Sequence, residues 1–120
     1  MSAVTKLGAI VLDCPDPVAL AGFYARLLDL PEPKVDDDGS WVVLEDPSGV
    51  RISFQRVESY RAPKWPGQDV PQQLHLDLDV TDLEAAHEHA VSLGAELLDD
   101  AKRFRVYADP AGHPFCLCAC

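Results

Sequence analysis

The stretch DPSG at residues 46–49 returns as DPAG at residues 109–112, 63 residues later, and each copy stands just before a short apolar run. Asp-Pro followed by glycine is typical of a tight turn, because proline fixes φ and glycine accepts positive φ. Upstream, residues 11–28 (VLDCPDPVALAGFYARLL) align with residues 77–94 (DLDVTDLEAAHEHAVSLG) at a shift of 66. The two turns therefore belong to a longer repeat, which predicts two copies of one supersecondary unit.

Each copy has the pattern of one strand, one helix and three further strands, so the sequence predicts an α+β fold of two tandem βαβββ modules. In the first copy, Asp16-Pro17 supplies an N-cap and a proline at the first helical position. In the second, TDLE at 81–84 predicts a capping box. Residues 57–72 break the pattern with three prolines. We place the first module at 1–56, a linker at 57–72 and the second module at 73–120, together one domain.

The composition indicates a globular protein that binds neither nucleic acid nor a membrane. The formal net charge is −10 over 120 residues, whereas both partners require clustered lysine and arginine. No apolar run approaches the roughly 20 residues of a membrane span. The four cysteines, at 14, 116, 118 and 120, lack CxxC spacing, and alternate residues of one strand do not pair readily. We therefore expect reduced thiols and a cytoplasmic protein.

The chain resembles the vicinal oxygen chelate superfamily over its whole length. The resemblance is carried by CPDP at 14–17, GFY at 22–24, both DPxG turns and QQLHLDLDV at 72–80. That superfamily includes glyoxalase I, extradiol dioxygenases, fosfomycin-resistance transferases and bleomycin-binding proteins, and this chain is most similar to short glyoxalase-like proteins of actinobacterial type. The resemblance implies a curved mixed sheet around a small-molecule cavity, and usually a homodimer whose modules pair within a chain or by exchange between chains.

In metal-using members, four ligands come from the first and last strands of each module. Those positions fall on Ala9, Ser53, His75 and Cys116, the second and fourth lying seven residues after the DPxG aspartates. Only His75 is of the usual type. A firmly held divalent ion needs about three or four convergent N, O or S ligands. We therefore expect no metal cofactor; if Zn, Ni, Fe or Mn binds, His75 and Cys116 are the expected ligands.

Strand alternation predicts which side chains face the cavity. In the fourth strand they are Arg51, Ser53 and Gln55. In the fifth and eighth they are His75, Asp77 and Cys116. Trp65, in the linker, either lies across the cavity mouth as a further ligand contact or packs on the surface.

Arg51 could anchor a carboxylate or carbonyl, while Asp77 orients His75 as a catalytic group. The alternative is an internal Arg51–Asp77 ion pair that neutralises two charges. The other three histidines are weaker candidates for a functional role. His87 and His89 are expected at the surface, and His113 is expected to be a hairpin residue.

Three functions remain open. The first is a metal-free small-molecule-binding protein, whose acidity would favour cationic ligands. The second is a lyase, isomerase or dioxygenase of the superfamily that uses His75 as metal ligand or base. The third is a structural role in which the sheet serves only dimerisation.

Overall fold

The computed structural model describes residues 3–101 and 103–119, and its elements follow the order that the repeat predicts. The first module comprises β1 (Ile10–Cys14), α1 (Pro17–Leu27), β2 (Lys34–Val35), β3 (Trp41–Glu45) and β4 (Arg51–Arg56). The second comprises β5 (Leu76–Asp79), α2 (Leu83–Ser92), β6 (Glu96–Asp100), β7 (Phe104–Ala108) and β8 (Pro114–Cys118). The α+β fold of two βαβββ units is thereby confirmed.

The two modules share one sheet topology and, in their first, third and fourth strands, one register; the β6–β7 pair is shifted by a bulge between Leu97 and Asp99. Their strand orders are β1-β4-β3-β2 and β5-β8-β7-β6, with the first and last strands of each module parallel neighbours. Val11 pairs with Ser53 in the first sheet, and Asp77 pairs with Cys116 in the second. The repeat seen in the sequence therefore extends to the pairing of these four residues.

Both helices begin at an aspartate whose side chain caps the first turn. The Asp16 carboxylate accepts a hydrogen bond from the Ala19 N–H at 3.2 Å, and Pro17 follows at the first helical position as predicted. In α2 the Asp82 carboxylate accepts from the Ala85 N–H at 3.1 Å. The capping residue is therefore Asp82, one position later than the Thr81 of the predicted capping box.

One hydrophobic core joins the helices to one face of each sheet, and α1 contacts both sheets. The Tyr24 ring lies 6.0 Å from the Phe54 ring on β4 and 6.0 Å from the Phe115 ring on β8. Ile52, Phe54, Phe115 and Leu117 are all buried, which confirms the predicted alternation for both strands. Because these residues face the shared core, Ser53 and Cys116 lie on the opposite faces of their sheets.

The helical histidines lie at the surface as expected, His89 exposed and His87 partly buried, but each also makes a hydrogen bond to a neighbouring element. His87 Nδ1 lies 2.7 Å from the Tyr107 hydroxyl, which connects α2 to β7. His89 donates from Nε2 to the Arg26 main-chain carbonyl at 3.0 Å, which connects α2 to the end of α1. Residues two apart on a helix point in different directions, so the two rings reach different neighbours.

No helix within the described residues is long and apolar enough to cross a membrane.

Candidate functional site

Three side chains that could bind a metal meet on the outer face of the second sheet. The donor atoms of His75, Asp77 and Cys116 all lie within 4.8 Å of one another. Asp77 and Cys116 are register partners on β5 and β8, and His75 immediately precedes β5. His75 Nε2 is 3.3 Å from Asp77 Oδ1, and both side chains are largely open to solvent. The predicted pairing of His75 with Asp77 is thus realised, with Cys116 beside it.

The Cys116 thiol stays protonated near neutral pH. Burial, followed by the charge of Asp77 and a hydrogen bond to it, raises the pKa of Cys116 to about 11. A metal would have to displace this proton, so metal affinity at the cluster would increase with pH. Cys14 and Cys116 are free thiols. Cys118 is disulfide-bonded, which contradicts the expectation that its thiol is reduced; Cys120 lies outside the described residues.

The equivalent positions of the first module cannot hold an ion. Ala9 and Val11 take the places of His75 and Asp77, and Ser53 takes the place of Cys116. Ser53 is only 1% exposed, and its hydroxyl has no hydrogen-bond partner among the residues that the structure describes. Its neighbours across the sheet are Val11 and Val43. The Ser53 oxygen is therefore closed off, and the donor set of the fold is concentrated in the second module.

A cavity of about 150 Å³ adjoins the cluster and has an aromatic and apolar wall. The linker crosses it at Trp65, and β7 contributes Phe104 and Val106. Its full lining is Trp65, Gln72, His75, Phe104, Val106, Pro114 and Cys116. The structure thus brings together three of the predicted ligand contacts, His75, Cys116 and Trp65, with Asp77 at the same cluster.

The other predicted contacts lie apart from these. Arg51 Nη2 is 3.6 Å from Glu45 Oε1 on β3, so the alternative Arg51–Asp77 ion pair is not formed. Neither Arg51, Ser53 nor Gln55 lines a cavity that His75 lines. The reason is architectural, because the outer faces of the two sheets point away from one shared core. Within a single chain, these three residues and the cluster do not converge.

A buried polar network near the second DPxG turn was missed by the sequence reasoning. The Asp109 carboxylate, whose side chain is fully buried, accepts hydrogen bonds from the Tyr24 hydroxyl at 2.7 Å and from His113 Nδ1 at 2.9 Å. Asp109 also accepts from the main-chain N–H groups of Ala111 and His113. His113 is therefore more than a hairpin residue.

This network ties the two modules together. His113 Nε2 is 2.7 Å from the main-chain carbonyl oxygen of Asp13 on β1 and 3.2 Å from the Tyr60 hydroxyl. Burial lowers the pKa of His113, but the hydrogen bond and charge of Asp109, with Asp13, outweigh burial and leave it raised. A signal was available in the sequence: the first turn is followed by Val50 and the second by His113 at the same place.

A second and larger cavity, of about 240 Å³, lies between the edge strands β1 and β5. The open edges contribute residues 11–13 and 73–76, and the linker contributes Tyr60, Arg61, Pro63 and residues 70–72. Tyr24 and His113 also line this cavity, so the buried network forms part of its wall.

Comparison with known proteins identifies the family to which this chain belongs. The family model described as a glyoxalase-like domain matches residues 9–118. No sequence among the curated proteins matches at a significant level.

Among solved structures, the hypothetical protein SA1046 from S. aureus aligns over 98% of this chain and 96% of its own, with 13% identity and a TM-score of 0.74. The E126Q mutant of FosX, a fosfomycin resistance protein from Listeria monocytogenes complexed with Mn(II) and 1S,2S-dihydroxypropylphosphonic acid, aligns over 97% and 90%, with 16% identity and a TM-score of 0.72.

A glyoxalase/bleomycin resistance protein/dioxygenase family enzyme from Burkholderia phytofirmans PsJN aligns over 91% and 94%, with 17% identity and a TM-score of 0.69. At these identities the likeness establishes the fold. The match over residues 9–118 makes this chain a member of the glyoxalase-like domain family, and it shares its fold with solved structures of the glyoxalase, bleomycin resistance and fosfomycin resistance superfamily.

Proposed function

We propose that this protein binds a small aromatic molecule at the His75–Asp77–Cys116 face and lacks the metal site usual for its superfamily. The proposal rests on the ligand positions of the first module, which offer no metal ligand. Ala9 has no donor atom, and the Ser53 hydroxyl is buried. A second copy of the chain would supply the same residues, so dimerisation does not complete a four-ligand set. What the face does offer is a cavity walled by Trp65, Phe104 and Val106.

The charge at this face favours a cationic ligand. Asp77 is exposed beside the cavity, the Cys116 thiol is protonated, and the whole chain carries −10. Aromatic rings such as Trp65 and Phe104 also attract cations through their π faces. A cavity of about 150 Å³ is the size that admits a benzene ring. The expected ligand class is therefore a single aromatic ring that bears an ammonium group.

A fluorescence titration tests this proposal. The chain has two tryptophans, so a Trp41→Phe background leaves Trp65 as the reporter. Benzylamine should quench it at lower concentration than benzoate, and Asp77→Asn should shrink that preference about two- to fivefold, the size of one exposed charge interaction. Asp79→Asn is the matched control, because Asp79 lies on the same strand face outside the cluster. Equal binding of benzylamine and benzoate, or equal effects of Asp77→Asn and Asp79→Asn, would contradict the proposal.

The three-donor cluster favours an alternative function, that of a lyase, isomerase or dioxygenase. His75, Asp77 and Cys116 offer one nitrogen, one oxygen and one sulfur, a set that suits Zn²⁺ and related ions. Such an ion would act as a Lewis acid toward an oxygen of the substrate. Without an ion, His75 would act as a base that Asp77 orients from 3.3 Å.

Titration with Co²⁺ separates the two functions without an activity assay. A thiolate–Co²⁺ absorption band that disappears in Cys116→Ser and weakens in His75→Ala would favour the metal-dependent enzyme. Metal content measured after purification without chelator gives an independent reading for Zn, Ni, Fe and Mn. Absence of both signals would favour the metal-free binding protein.

We also propose a homodimer in which the first module of one chain faces the second module of its partner. The outer sheet faces carry Val11, Trp41 and Phe104, each more than one third exposed. Because the two faces of one chain point apart, exchange between chains would enclose them and bring Arg51 and Gln55 towards the partner's cluster. Light scattering coupled to gel filtration should give twice the 13.1 kDa chain mass, and Phe104→Glu should return the protein to a monomer. A monomer at micromolar concentration would contradict this assembly.

A further inference from the structure

The 240 Å³ cavity between β1 and β5 is a separate space from the one beside the cluster. It shares His75, Gln72 and Pro114 with the smaller cavity, but its remaining wall comes from the open strand edges, the linker and the buried network. Most of that wall is aliphatic, proline or tyrosine ring. Since about 150 Å³ is enough for benzene, this cavity admits a ring with a further substituent.

The partners of His113 determine its protonation state. Nδ1 contacts the Asp109 carboxylate at 2.9 Å, and Nε2 contacts the main-chain carbonyl oxygen of Asp13 at 2.7 Å. Both partners can only accept a hydrogen bond, so both ring nitrogens must carry hydrogen. His113 is therefore an imidazolium whose charge is compensated by Asp109.

This state leaves the Tyr60 hydroxyl with an unused hydrogen. Nε2 has no lone pair to offer, so the Tyr60 oxygen at 3.2 Å can only share, as a second and longer acceptor, the one hydrogen that Nε2 directs to the Asp13 carbonyl. Among the described residues, His113 Nε2 is the hydrogen-bond partner found for that hydroxyl. Burial, and then the charge of Asp109, raises the pKa of Tyr60 to about 12, so the hydroxyl remains a donor. Tyr60 lines the larger cavity.

We propose that the larger cavity is a second small-molecule site, which takes a single-ring aromatic compound bearing a carbonyl group. The carbonyl oxygen accepts the Tyr60 hydroxyl hydrogen, and the ring packs among the apolar residues of β1 and β5. His113 acts as a positioning residue, because its N–H holds the Tyr60 oxygen and directs the hydroxyl hydrogen elsewhere. A neutral carbonyl suits the site, since the charges of His113 and Asp109 already compensate one another. The site is independent of the function proposed for the cluster.

Acetophenone and α-methylstyrene are the probes that test this site, because they differ only in a carbonyl oxygen replaced by a methylene group. Binding of each is followed by ¹H–¹⁵N NMR in wild type, in Tyr60→Phe, and in the matched control Tyr107→Phe, whose hydroxyl lies in neither cavity. The preference for acetophenone over α-methylstyrene should fall roughly two- to tenfold in Tyr60→Phe, as expected for one neutral hydrogen bond. It should stay unchanged in Tyr107→Phe.

The wild-type spectra give a second reading that needs no variant. Acetophenone should perturb the amides of Val11, Leu12 and Leu76 and show contacts from its methyl group to their side chains. Perturbations centred on Phe104, Val106 and Cys116 would place the probe at the cluster and overturn the proposal. A preference that survives in Tyr60→Phe, or no saturable binding of either probe, would overturn it as well.

Discussion

The two copies of the DPxG turn make a matched experiment, because Asp46 and Asp109 occupy the same place in two versions of one motif. Asp46 is on the surface and accepts one hydrogen bond, from the Ser48 N–H at 2.8 Å. Asp109 accepts from two N–H groups, from the Tyr24 hydroxyl and from the His113 ring, all in the interior. We predict that the substitution Asp→Ala is far more destabilising at the second position.

The magnitudes follow from what each substitution leaves behind. Asp46→Ala loses one solvent-exposed hydrogen bond, which costs about 0.5–1 kcal/mol of the free energy of unfolding. Asp109→Ala leaves the His113 imidazolium and the Tyr24 hydroxyl buried without their acceptor, which costs about 3–5 kcal/mol. Tyr24→Phe removes only one charge-assisted hydrogen bond and should cost about 1.5–3 kcal/mol. A domain of this size typically has about 5–15 kcal/mol, so each variant should still fold.

Urea unfolding followed by circular dichroism measures all three differences. The double variant Asp109→Asn with Tyr24→Phe adds a thermodynamic cycle, in which the two changes should be non-additive by more than about 0.5 kcal/mol. Asn is used there because it keeps a turn acceptor while removing the charge. Equal losses at Asp46 and Asp109, or strict additivity in the cycle, would refute the account of Asp109 as the link between the modules.

Three further predictions concern the same structure. His113 has a raised pKa in the folded state, so it contributes to the free energy of unfolding in full at pH values below its pKa in the unfolded chain. This contribution is lost as the pH rises through the pKa of the folded state. His113→Gln should therefore flatten that part of a plot of the urea-derived free energy of unfolding against pH. Gly49 and Gly112 both have positive φ, so alanine is strained at either position. A Cβ added to Gly49 would meet nothing within 4 Å, whereas a Cβ added to Gly112 would lie 2.7 Å from the Cβ of Ala62. Gly112→Ala should therefore lower Tm several degrees further than Gly49→Ala. The Cys116 thiol should react slowly with iodoacetamide at pH 7 and faster towards pH 10, because burial, followed by Asp77, raises its pKa to about 11; equal rates at both pH values would contradict this raised pKa.

The sequence carried enough information to predict the order of elements and the face of each strand. Ile52, Phe54, Phe115 and Leu117 alternate with polar residues, and a one-residue slip would have moved this whole apolar set out of the core. The same alternation predicted the His75–Asp77 pair, because both residues lie on one face. The sequence also allowed Asp77 to be predicted as a third donor beside Cys116. The repeat places these two residues at the positions of Val11 and Ser53, which pair in the first sheet.

What the sequence could not predict are contacts between the modules. His113 meets the Asp13 carbonyl across 100 residues, and Tyr24 meets Asp109 across 85. The alternation of polar and apolar residues along a strand shows which side of its own sheet a residue lies on, but not how the two sheets are oriented relative to each other. The polar faces of the two sheets were expected to converge on one cavity. Packing of both sheets on α1 turns them apart instead, and it leaves Arg51 with its neighbour Glu45.

The differences between the two copies indicate how the roles of the modules have separated. The strand positions that hold His75, Asp77 and Cys116 in the second module hold Ala9, Val11 and Ser53 in the first, so the three grouped donor side chains belong to the second module. The position after the turn likewise holds His113 in one copy and Val50 in the other. Because His113 reaches back to the first module, that difference adds one contact between the modules and contributes to a wall of the larger cavity. The first module thus acts as the support against which the second module's polar groups are held.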